Sequence, residues 1–359
     1  MSEAGSVFMV GLPTVYPGPL LDRVKAMGVP VLISANAMPI AKWSEQKDWG
    51  RREFIEFDPA NLSHLDGVDS YLDSAGLVGM KRYRGFPWTV PQYIGLAASH
   101  PFKWFASMDK CVEKEMAPDR EAVRNRIAGT LNLYSECRRE AERQGISDRL
   151  MPVLQGWTAA DYLYCLERMP ANLGKLGVLG VGSMCRREVP GPEGILETVD
   201  AIDRALGHDP VRLHLFGVKT KGAEALRGHP RIASFDSQAY GSKARDIAFR
   251  KNLALQAIES DLKFSKSNAF VADVMEGWVS GQKERLAKPA WSFQTSLGLF
   301  EPETGRKGED PRLPKIRERL RELVSLGELN HDDADFSYEQ AWLADWDCER
   351  SDAENLGLW

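Results

Sequence analysis

The stretch Ile232-Ala-Ser-Phe-Asp236 is a short apolar run that ends in a charged side chain. It is too short for a helix and is bounded by turn residues, which is typical of a buried parallel strand. The same pattern recurs along the chain. The eight predicted strands are Val7–Leu12, Val29–Ser34, Ser70–Asp73, Trp104–Asp109, Leu150–Gln155, Gly177–Gly182, Val211–Gly217 and Ile232–Asp236.

Helical patterns separate most of these runs. Apolar residues recur every three or four positions in Pro118–Arg143, and Thr158 is a suitable cap for the helix that follows it. Pro192–Leu206 and the shorter Gly222–Gly228 are further predicted helices. Strands that alternate with helices predict an α/β fold, a closed (β/α)8 TIM barrel. The alternative is an open doubly wound sheet, but no G-x-G-x-x-G turn follows the first strand.

Two parts of the chain lack this alternation. Lys81–Lys103 combines basic, aromatic and proline residues, so we expect a loop that lies over the barrel mouth. We predict that residues 1–287 form the catalytic barrel and that residues 288–359 form a helical, acidic extension packed on it. This extension would contain a helix at Ile316–Leu326 and an acidic, tryptophan-rich tail from His331.

Composition limits the class of protein. The chain has 359 residues and a formal net charge of -5, so nucleic-acid binding would require a local cationic patch. Five scattered cysteines without a C-x-x-C pair indicate a reducing compartment. The sequence shows neither a signal peptide nor an apolar run of ~18 residues. We therefore expect a cytoplasmic protein without a membrane partner, in the host cytoplasm if it is viral.

Polar side chains stand at the ends of four predicted strands, namely Asp73, Asp109, Gln155 and Asp236. A single aspartate in such a position is most simply a helix cap or a loop anchor. In a barrel, however, the carboxyl ends of all strands meet at one rim, where active sites lie. Convergent carboxylates and an amide suit a nitrogen-rich heterocycle, and a second carboxylate suits attack at a sugar carbon.

Six blocks of sequence at these strand ends resemble the tRNA-guanine transglycosylase superfamily and occur in the order found in that family. The resemblance extends from about Leu12 to about Arg245. The blocks are Asp73-Ser-Ala-Gly76, Met108-Asp-Lys-Cys111, Val153-Leu-Gln-Gly156, Gly180-Val-Gly182, Leu215-Phe-Gly-Val218 and Ser234-Phe-Asp236.

The resemblance implies a role for each matched residue. Asp236 would attack the sugar C1′ and form a covalent intermediate with the nucleic acid, and Asp73 would be the general acid and base. Asp109 and Gln155 would hold the edge of the base, and Phe216 would lie against its plane. The complete set of implied substrate-binding residues is Ser74, Asp109, Cys111, Gln155, Gly180, Val181, Gly182, Phe216 and Gly217.

The chain also departs from this family. The structural zinc site of the family has no counterpart, because only Cys348 and His331 follow Asp236 as cysteine and histidine. We therefore expect no metal, and the chemistry requires no cofactor. The block Gly182-Ser-Met-Cys-Arg-Arg187 instead resembles the phage and bacterial DNA-modifying branch, the DpdA-like proteins, which place 7-deazaguanine bases in DNA.

Cationic residues follow several of the strand ends, on the expected mouth side of the barrel. One such run is usually only a solvated loop. Four of them on one rim predict a phosphate-binding track whose affinity falls as the salt concentration rises. The predicted nucleic-acid contacts are Arg82, Arg84, Arg186, Arg187, Lys219, Lys221, Lys243 and Arg245.

Taken with these residues, the resemblance implies a DNA-guanine transglycosylase that replaces guanine with a 7-deazaguanine base, with preQ0 as the first expectation. In duplex DNA the target base would have to flip out of the stack. Three alternatives stay open: the same reaction on tRNA, a non-catalytic subunit that binds nucleic acid, and a barrel enzyme acting on a small metabolite. The presence of both Asp73 and Asp236 favours an enzyme, and a partner protein is left open.

Overall fold

The computed structural model describes residues 6–43, 52–185, 187–257 and 264–288. The strands in these ranges form one parallel sheet and one antiparallel hairpin. They are β1 (Val7–Leu12), β2 (Val31–Ser34), β3 (Pro39–Trp43), β4 (Arg52–Phe57), β5 (Ser70–Asp73), β6 (Phe105–Ala106), β7 (Leu150–Met151), β8 (Val153–Leu154), β9 (Val178–Val181), β10 (Arg212–Leu215) and β11 (Ile232–Ser237).

The parallel sheet closes on itself. Its strand order is β7-β6-β5-β2-β1-β11-β10-β9-β8, and its two end strands are separated in sequence only by Pro152. Residues 150–151 pair with β6, whereas residues 153–154 pair with β9. Strands β7 and β8 are therefore one interrupted strand, and eight parallel strands complete the ring. This arrangement confirms the predicted α/β barrel.

Helices follow the strands of the ring. Asp119 caps the long helix α4 by accepting from Ala122 N at 3.0 Å. Thr158 caps α5 in a capping box with Asp161, which confirms the predicted cap. The helices are α1 (Pro19–Met27), α2 (Gly76–Arg82), α3 (Val90–Ala98), α4 (Arg120–Arg143), α5 (Ala159–Arg168), α6 (Ile195–Leu206), α7 (Thr220–Ala225), α8 (Ala239–Ala257) and α9 (Asn268–Ala287).

Apolar side chains fill the barrel. Ala106, Met151 and Val153 form a buried cluster, and the partly buried rings of Trp104 and Phe216 pack against it. Burial of a large apolar side chain contributes about 1.5–3 kcal/mol, so such clusters hold the strands together. Because side chains occupy the interior, polar groups gather at the carboxyl ends of the strands, where a ligand can enter.

The prediction of a loop at Lys81–Lys103 is wrong for the part of this segment that forms helix α3. Thr89 starts this helix with a capping box to Gln92, and a proline lies in its first turn. Proline is tolerated there because the first-turn amide has no partner within the helix. The antiparallel hairpin of β3 and β4 was not predicted, and the strand expected at Trp104–Asp109 is only Phe105–Ala106.

The described residues belong to two compact units. The first contains the complete barrel, residues 6–238, together with residues 275–288. In the second, Asn252 hydrogen-bonds both the N and the O of Phe264, and Lys251 lies over the Phe264 ring at 4.4 Å. The predicted extension at 288–359 lies outside the described residues apart from its first position, so the boundary at 287 stays a prediction. No described helix has the length and apolarity needed to cross a membrane.

Candidate active site at the carboxyl ends of the barrel strands

The rim of the barrel brings together side chains that are far apart in sequence. Ser74 directly follows β5 and donates to Asp109 Oδ1 at 2.8 Å. Asp109 follows β6, and its Oδ2 accepts a hydrogen bond from Gln155 Nε2 at the end of β8. Because the strands are parallel, their carboxyl ends meet, and the predicted neighbourhood of Asp109 and Gln155 is found.

The amide of Gln155 is held in one orientation. Its Oε1 accepts from Ser183 Oγ at 2.7 Å, and Ser183 Oγ accepts in turn from Val112 N at 2.9 Å. Its Nε2 donates to Asp109, so the amide cannot rotate without losing bonds at both ends. Asp109, Gln155 and Ser183 are all buried. These contacts create a rigid polar edge formed by a carboxylate and an amide.

Two glycines at β9 give this edge its space. A Cβ at Gly182 would collide with Gln155 Nε2. A Cβ at Gly180 would lie 2.9 Å from Cε2 of Phe216, closer than such contacts normally are. Only hydrogen side chains at these positions therefore allow the amide and the aromatic ring to approach the strand.

An aromatic wall lies beside the polar edge. The ring centroids of Phe216 and His214 are 4.5 Å apart in a T-shaped arrangement. The ring centroids of Trp104 and His214 are 4.8 Å apart, also in a T-shaped arrangement. Residues 214 and 216 share one side of their strand because side chains alternate along it. Phe216 is only partly buried beside the apolar cluster inside the barrel, and contact between its ring and a base stays a prediction.

Asp236 is the acidic residue of β11 and is 13% exposed. Its Oδ1 accepts from Gly217 N at 2.8 Å and lies 3.3 Å from His214 Nε2. His214 Nδ1 lies 2.8 Å from Ser234 Oγ, and the two residues are paired in the register of β10 and β11. The strand pairing therefore aligns Ser234, His214 and Asp236 on the interior face.

Asp73 at the end of β5 faces two further carboxylates. Burial, followed by the charges of Asp109 and Asp236, raises the pKa of Asp73 to about 7. Ala75 N donates to Asp73 Oδ2 at 3.0 Å and opposes part of this effect. A carboxyl group with a pKa near neutrality can both give and accept a proton at physiological pH, which suits general acid–base catalysis.

Burial also raises the pKa of Asp109, to about 6, while the hydrogen bonds from Ser74 and Gln155 lower it. Both carboxyl groups therefore keep a proton to a higher pH than an exposed aspartate does. At neutral pH the pair can hold one proton on Asp73 and present a charged acceptor at Asp109. These two carboxyl groups differ in environment, as acid–base pairs in active sites commonly do.

Cys111 is 5% exposed, and burial is the main cause that raises the pKa of its thiol. The thiol is therefore neutral and serves as a small apolar surface, not as a nucleophile. Among the residues that the structure describes, no three histidine, cysteine or acidic side chains form a group able to hold a metal ion.

The position of Arg187 contradicts its predicted role as a nucleic-acid contact. It is 6% exposed, and its guanidinium donates to Ser183 O at 2.8 Å, Glu193 O at 2.6 Å and Gly156 O at 3.1 Å. It also lies 4.5 Å from the Trp157 ring centroid. Its donors are used inside the protein, so the expected contact with nucleic acid is withdrawn. Arg187 instead supports the loop that carries Ser183.

The other predicted cationic contacts lie in different parts of the chain. Arg84 is exposed and lines a cavity of about 760 Å³ together with Lys110 and Arg126. Lys219 and Lys221 lie at the start of α7 and are accessible. Lys243 and Arg245 lie in α8, in the second compact unit, and Arg245 donates to Ser242 Oγ at 3.0 Å. Arg82 ends α2, and Arg186 lies outside the described residues.

Two residues of the site were not predicted from the sequence. Ser183 has a positive φ of 58° and directly follows Gly182, so its side chain turns back onto Gln155. His214 is the polar residue of an otherwise apolar strand end and is fully buried. A signal for it was present: it stands two residues before Phe216, on the same side of the strand.

Comparison with known proteins adds a family to this geometry. The family model described as DpdA, DeoxyPurine in DNA protein A, matches residues 68–268, which is more than half of the chain. The matched span includes the polar edge of Asp109, Gln155 and Ser183. It also includes Asp73, Asp236 and the aromatic residues Trp104, His214 and Phe216. No curated protein matches the chain.

Proposed function

The chain belongs to the DpdA family, and on this premise we propose that it is a transglycosylase that replaces guanine in DNA with a 7-deazaguanine base similar to preQ0. The observation that carries this proposal is the juxtaposition, within the matched span, of Asp73, whose pKa is raised to about 7, and Asp236 with the edge formed by Asp109 and Gln155. The family description refers to deoxypurines in DNA, which supports DNA as the modified molecule.

In the proposed first step, a carboxylate oxygen of Asp236 attacks C1′ of the target nucleotide. The C1′–N9 bond breaks, and its electron pair leaves with guanine. Asp73, which is protonated in part at neutral pH because its pKa is raised to about 7, gives its proton to the departing base. The product is neutral guanine and a covalent ester between Asp236 and the sugar.

In the second step, the incoming 7-deazaguanine loses its N9 proton to the Asp73 carboxylate. N9 attacks C1′, the ester bond breaks, and its electron pair returns to Asp236. Each proton that Asp73 gives in the first step is thus recovered in the second. The double displacement preserves the configuration at C1′, as in retaining glycosidases.

The polar edge accounts for selection of the base. Guanine presents N1–H and amino donors beside the O6 acceptor, and Asp109 can accept from the donors while Gln155 donates to O6. Replacement of N7 by carbon does not alter this edge, so the same pocket accepts the departing and the incoming base. Phe216 would cover one face of either base by stacking.

Access of a duplex base to this pocket requires base flipping. Arg84, Lys219 and Lys221 are accessible cations of the barrel unit, and we propose that they contact the DNA phosphates. The net charge of the whole chain is -5, so this local contribution would have to overcome a general repulsion. Binding is therefore expected to weaken steeply as the salt concentration increases.

The proposal is tested by incubating the full chain with preQ0 and either duplex DNA or tRNA, followed by mass spectrometry of the released nucleosides. Asp236→Asn is the matched control because it keeps the size and removes the nucleophile. A deazapurine deoxynucleoside that forms only with DNA and the unmodified chain is the expected result. If the product forms only in tRNA, the substrate is tRNA and not DNA. Normal base exchange by Asp236→Asn would overturn the proposed mechanism.

A further inference from the structure

The two oxygens of Asp236 have different surroundings. Oδ1 accepts the backbone N–H of Gly217 at 2.8 Å and lies 3.3 Å from His214 Nε2. Oδ2 accepts no hydrogen bond from the part of the chain that the structure describes. A carboxylate oxygen that is already engaged by N–H groups is the weaker nucleophile, because its lone pairs are shared with donors.

The ring of His214 is fixed in position. It is 0% exposed, and its ring centroid lies 4.8 Å from that of Trp104 and 4.5 Å from that of Phe216, in T-shaped arrangements. Its Nδ1 lies 2.8 Å from Ser234 Oγ. Burial, these two aromatic neighbours and the contact with Ser234 hold the ring in place, with Nε2 3.3 Å from Asp236 Oδ1.

The ring nitrogen that carries the proton towards Asp236 depends on the contact with Ser234. If the Ser234 hydroxyl donates to Nδ1, the ring proton resides on Nε2 and points towards Asp236 Oδ1. Within the described residues Nε2 makes no hydrogen bond of regular geometry, although it is buried. A buried polar atom of this kind requires a partner, and Asp236 Oδ1 lies 3.3 Å from it. Such contacts commonly shorten when the reacting complex forms.

We propose that His214 is a positioning residue that, with Gly217 N–H, reserves Oδ1 of Asp236 as the non-reacting oxygen and leaves Oδ2 to attack C1′. This inference rests on the proposed function. In the first step the Oδ2–C1′ bond forms while the C1′–N9 bond breaks, and Oδ1 becomes the carbonyl oxygen of the ester. In the second step the Oδ2–C1′ bond breaks, and its electron pair returns to the carboxylate.

The effect of His214 and Gly217 on the rate is expected to be largest in the second step, when Asp236 leaves C1′. Negative charge then reappears on the carboxylate, where Gly217 N–H already donates to Oδ1 and His214 Nε2 lies 3.3 Å from it. Donors that are placed in advance lower the barrier because they need no reorganisation when the charge develops. His214 therefore makes Asp236 a better leaving group, in addition to orienting it as a nucleophile.

Two amide substitutions separate the two nitrogens of the ring. The amide nitrogen of His214→Gln reaches the position of Nε2 and can still donate to Asp236. The shorter amide of His214→Asn reaches the position of Nδ1, so it keeps the contact with Ser234 and loses the one with Asp236. Both variants place a neutral amide in the same buried site, so each controls for the loss of the ring in the other.

The experiment measures single-turnover formation and breakdown of the covalent adduct between the full chain and duplex DNA. Formation of the adduct is followed on denaturing gels in the absence of any free nucleobase. Its breakdown is followed after addition of preQ0. His214→Asn is expected to slow both steps by about 10²-fold, the effect typical of losing one preorganised donor, and His214→Gln by a few-fold only. The KM for preQ0 is expected to stay within a few-fold in both, because the polar edge is untouched.

Equal rates for His214→Asn and the unmodified chain, or an equal loss in both amide variants, would overturn the inference. If His214→Asn does not fold, Ser234→Ala provides the same test, since it removes the bond that keeps the proton on Nε2, and it should slow both steps. An unmodified chain that forms neither adduct nor product would contradict the proposed function itself. Adduct formation with unaffected His214 variants would contradict only the role of His214.

Discussion

Replacement of Asp73 by asparagine is expected to stabilise the folded chain at alkaline pH and to abolish base exchange. Burial, and then the charges of Asp109 and Asp236, raise the pKa of Asp73 from 3.8 to about 7. The folded chain therefore retains this proton at pH values where the unfolded chain has lost it. Asparagine has nearly the same shape, keeps an acceptor for the Ala75 N–H and carries no charge.

The magnitude follows from linkage between proton binding and folding. At ~1.36 kcal/mol per pH unit, the interval from 3.8 to about 7 corresponds to ~4 kcal/mol. The folded state binds more protons than the unfolded state within this interval, so stability falls as the pH rises through it and is lowest above it. At pH 5 roughly 1–2 kcal/mol of the loss is present. Asp73→Asn should thus gain ~3 kcal/mol relative to the unmodified chain between pH 5 and pH 8.

Urea denaturation at pH 5 and pH 8 measures the two free energies of unfolding for both proteins. Asp148→Asn, a change at an exposed aspartate, controls for the loss of one negative charge from the chain. A difference between Asp73→Asn and the unmodified chain that is constant with pH, or that shrinks as the pH rises, would refute the reasoning. Retention of base exchange by this variant would separately remove Asp73 from the mechanism.

Three more changes test separate parts of the structure. Gly182→Ala should weaken preQ0 binding, measured by calorimetry, and lower the free energy of unfolding by about 1–3 kcal/mol, because its Cβ meets Gln155. Gly177→Ala, whose Cβ would contact nothing within 4 Å, should change neither. Arg187→Ala should lower the free energy of unfolding by about 3 kcal/mol in urea titrations without altering the salt dependence of DNA binding. The double variant of Arg84 and Lys221 to alanine should reduce the slope of log affinity against log salt by about 2, and an unchanged slope would exclude these residues as phosphate contacts.

Much of the barrel could be predicted because each strand is a short apolar run with a definite end. Ser70–Asp73 has the same bounds in the sequence prediction and in the structure, since an aspartate terminates the run. Helix α3 was missed because Pro91 and its aromatic neighbours are typical of loops, whereas the proline occupies the one helical turn that tolerates it. The β3–β4 hairpin depends on pairing between two segments, which neither segment shows alone.

The candidate site was predictable where residues stand at strand ends and unpredictable where loops fold back. Asp109 and Gln155 meet because parallel strands end at one rim. Ser183 reaches Gln155 only through a loop residue with positive φ, which the sequence does not reveal. Arg187 has the composition signature of a phosphate contact, and its burial arises from packing against Trp157, thirty residues away in sequence. Local sequence cannot distinguish an internal cation of this kind from an external one.

The interruption of the barrel at Pro152 has a consequence for how the protein can move. Asp236 lies on β11, which pairs without interruption with β1 over four residues and with β10 on its other side through one register shift at Leu213/His214. Gln155 follows the strand that is broken at Pro152, which pairs over only two residues on each side. Regions with few backbone hydrogen bonds open at lower free energy than long ladders do. The backbone ladder therefore supports Asp236 directly, whereas the position of Gln155 depends mainly on its side-chain bonds to Asp109 and Ser183.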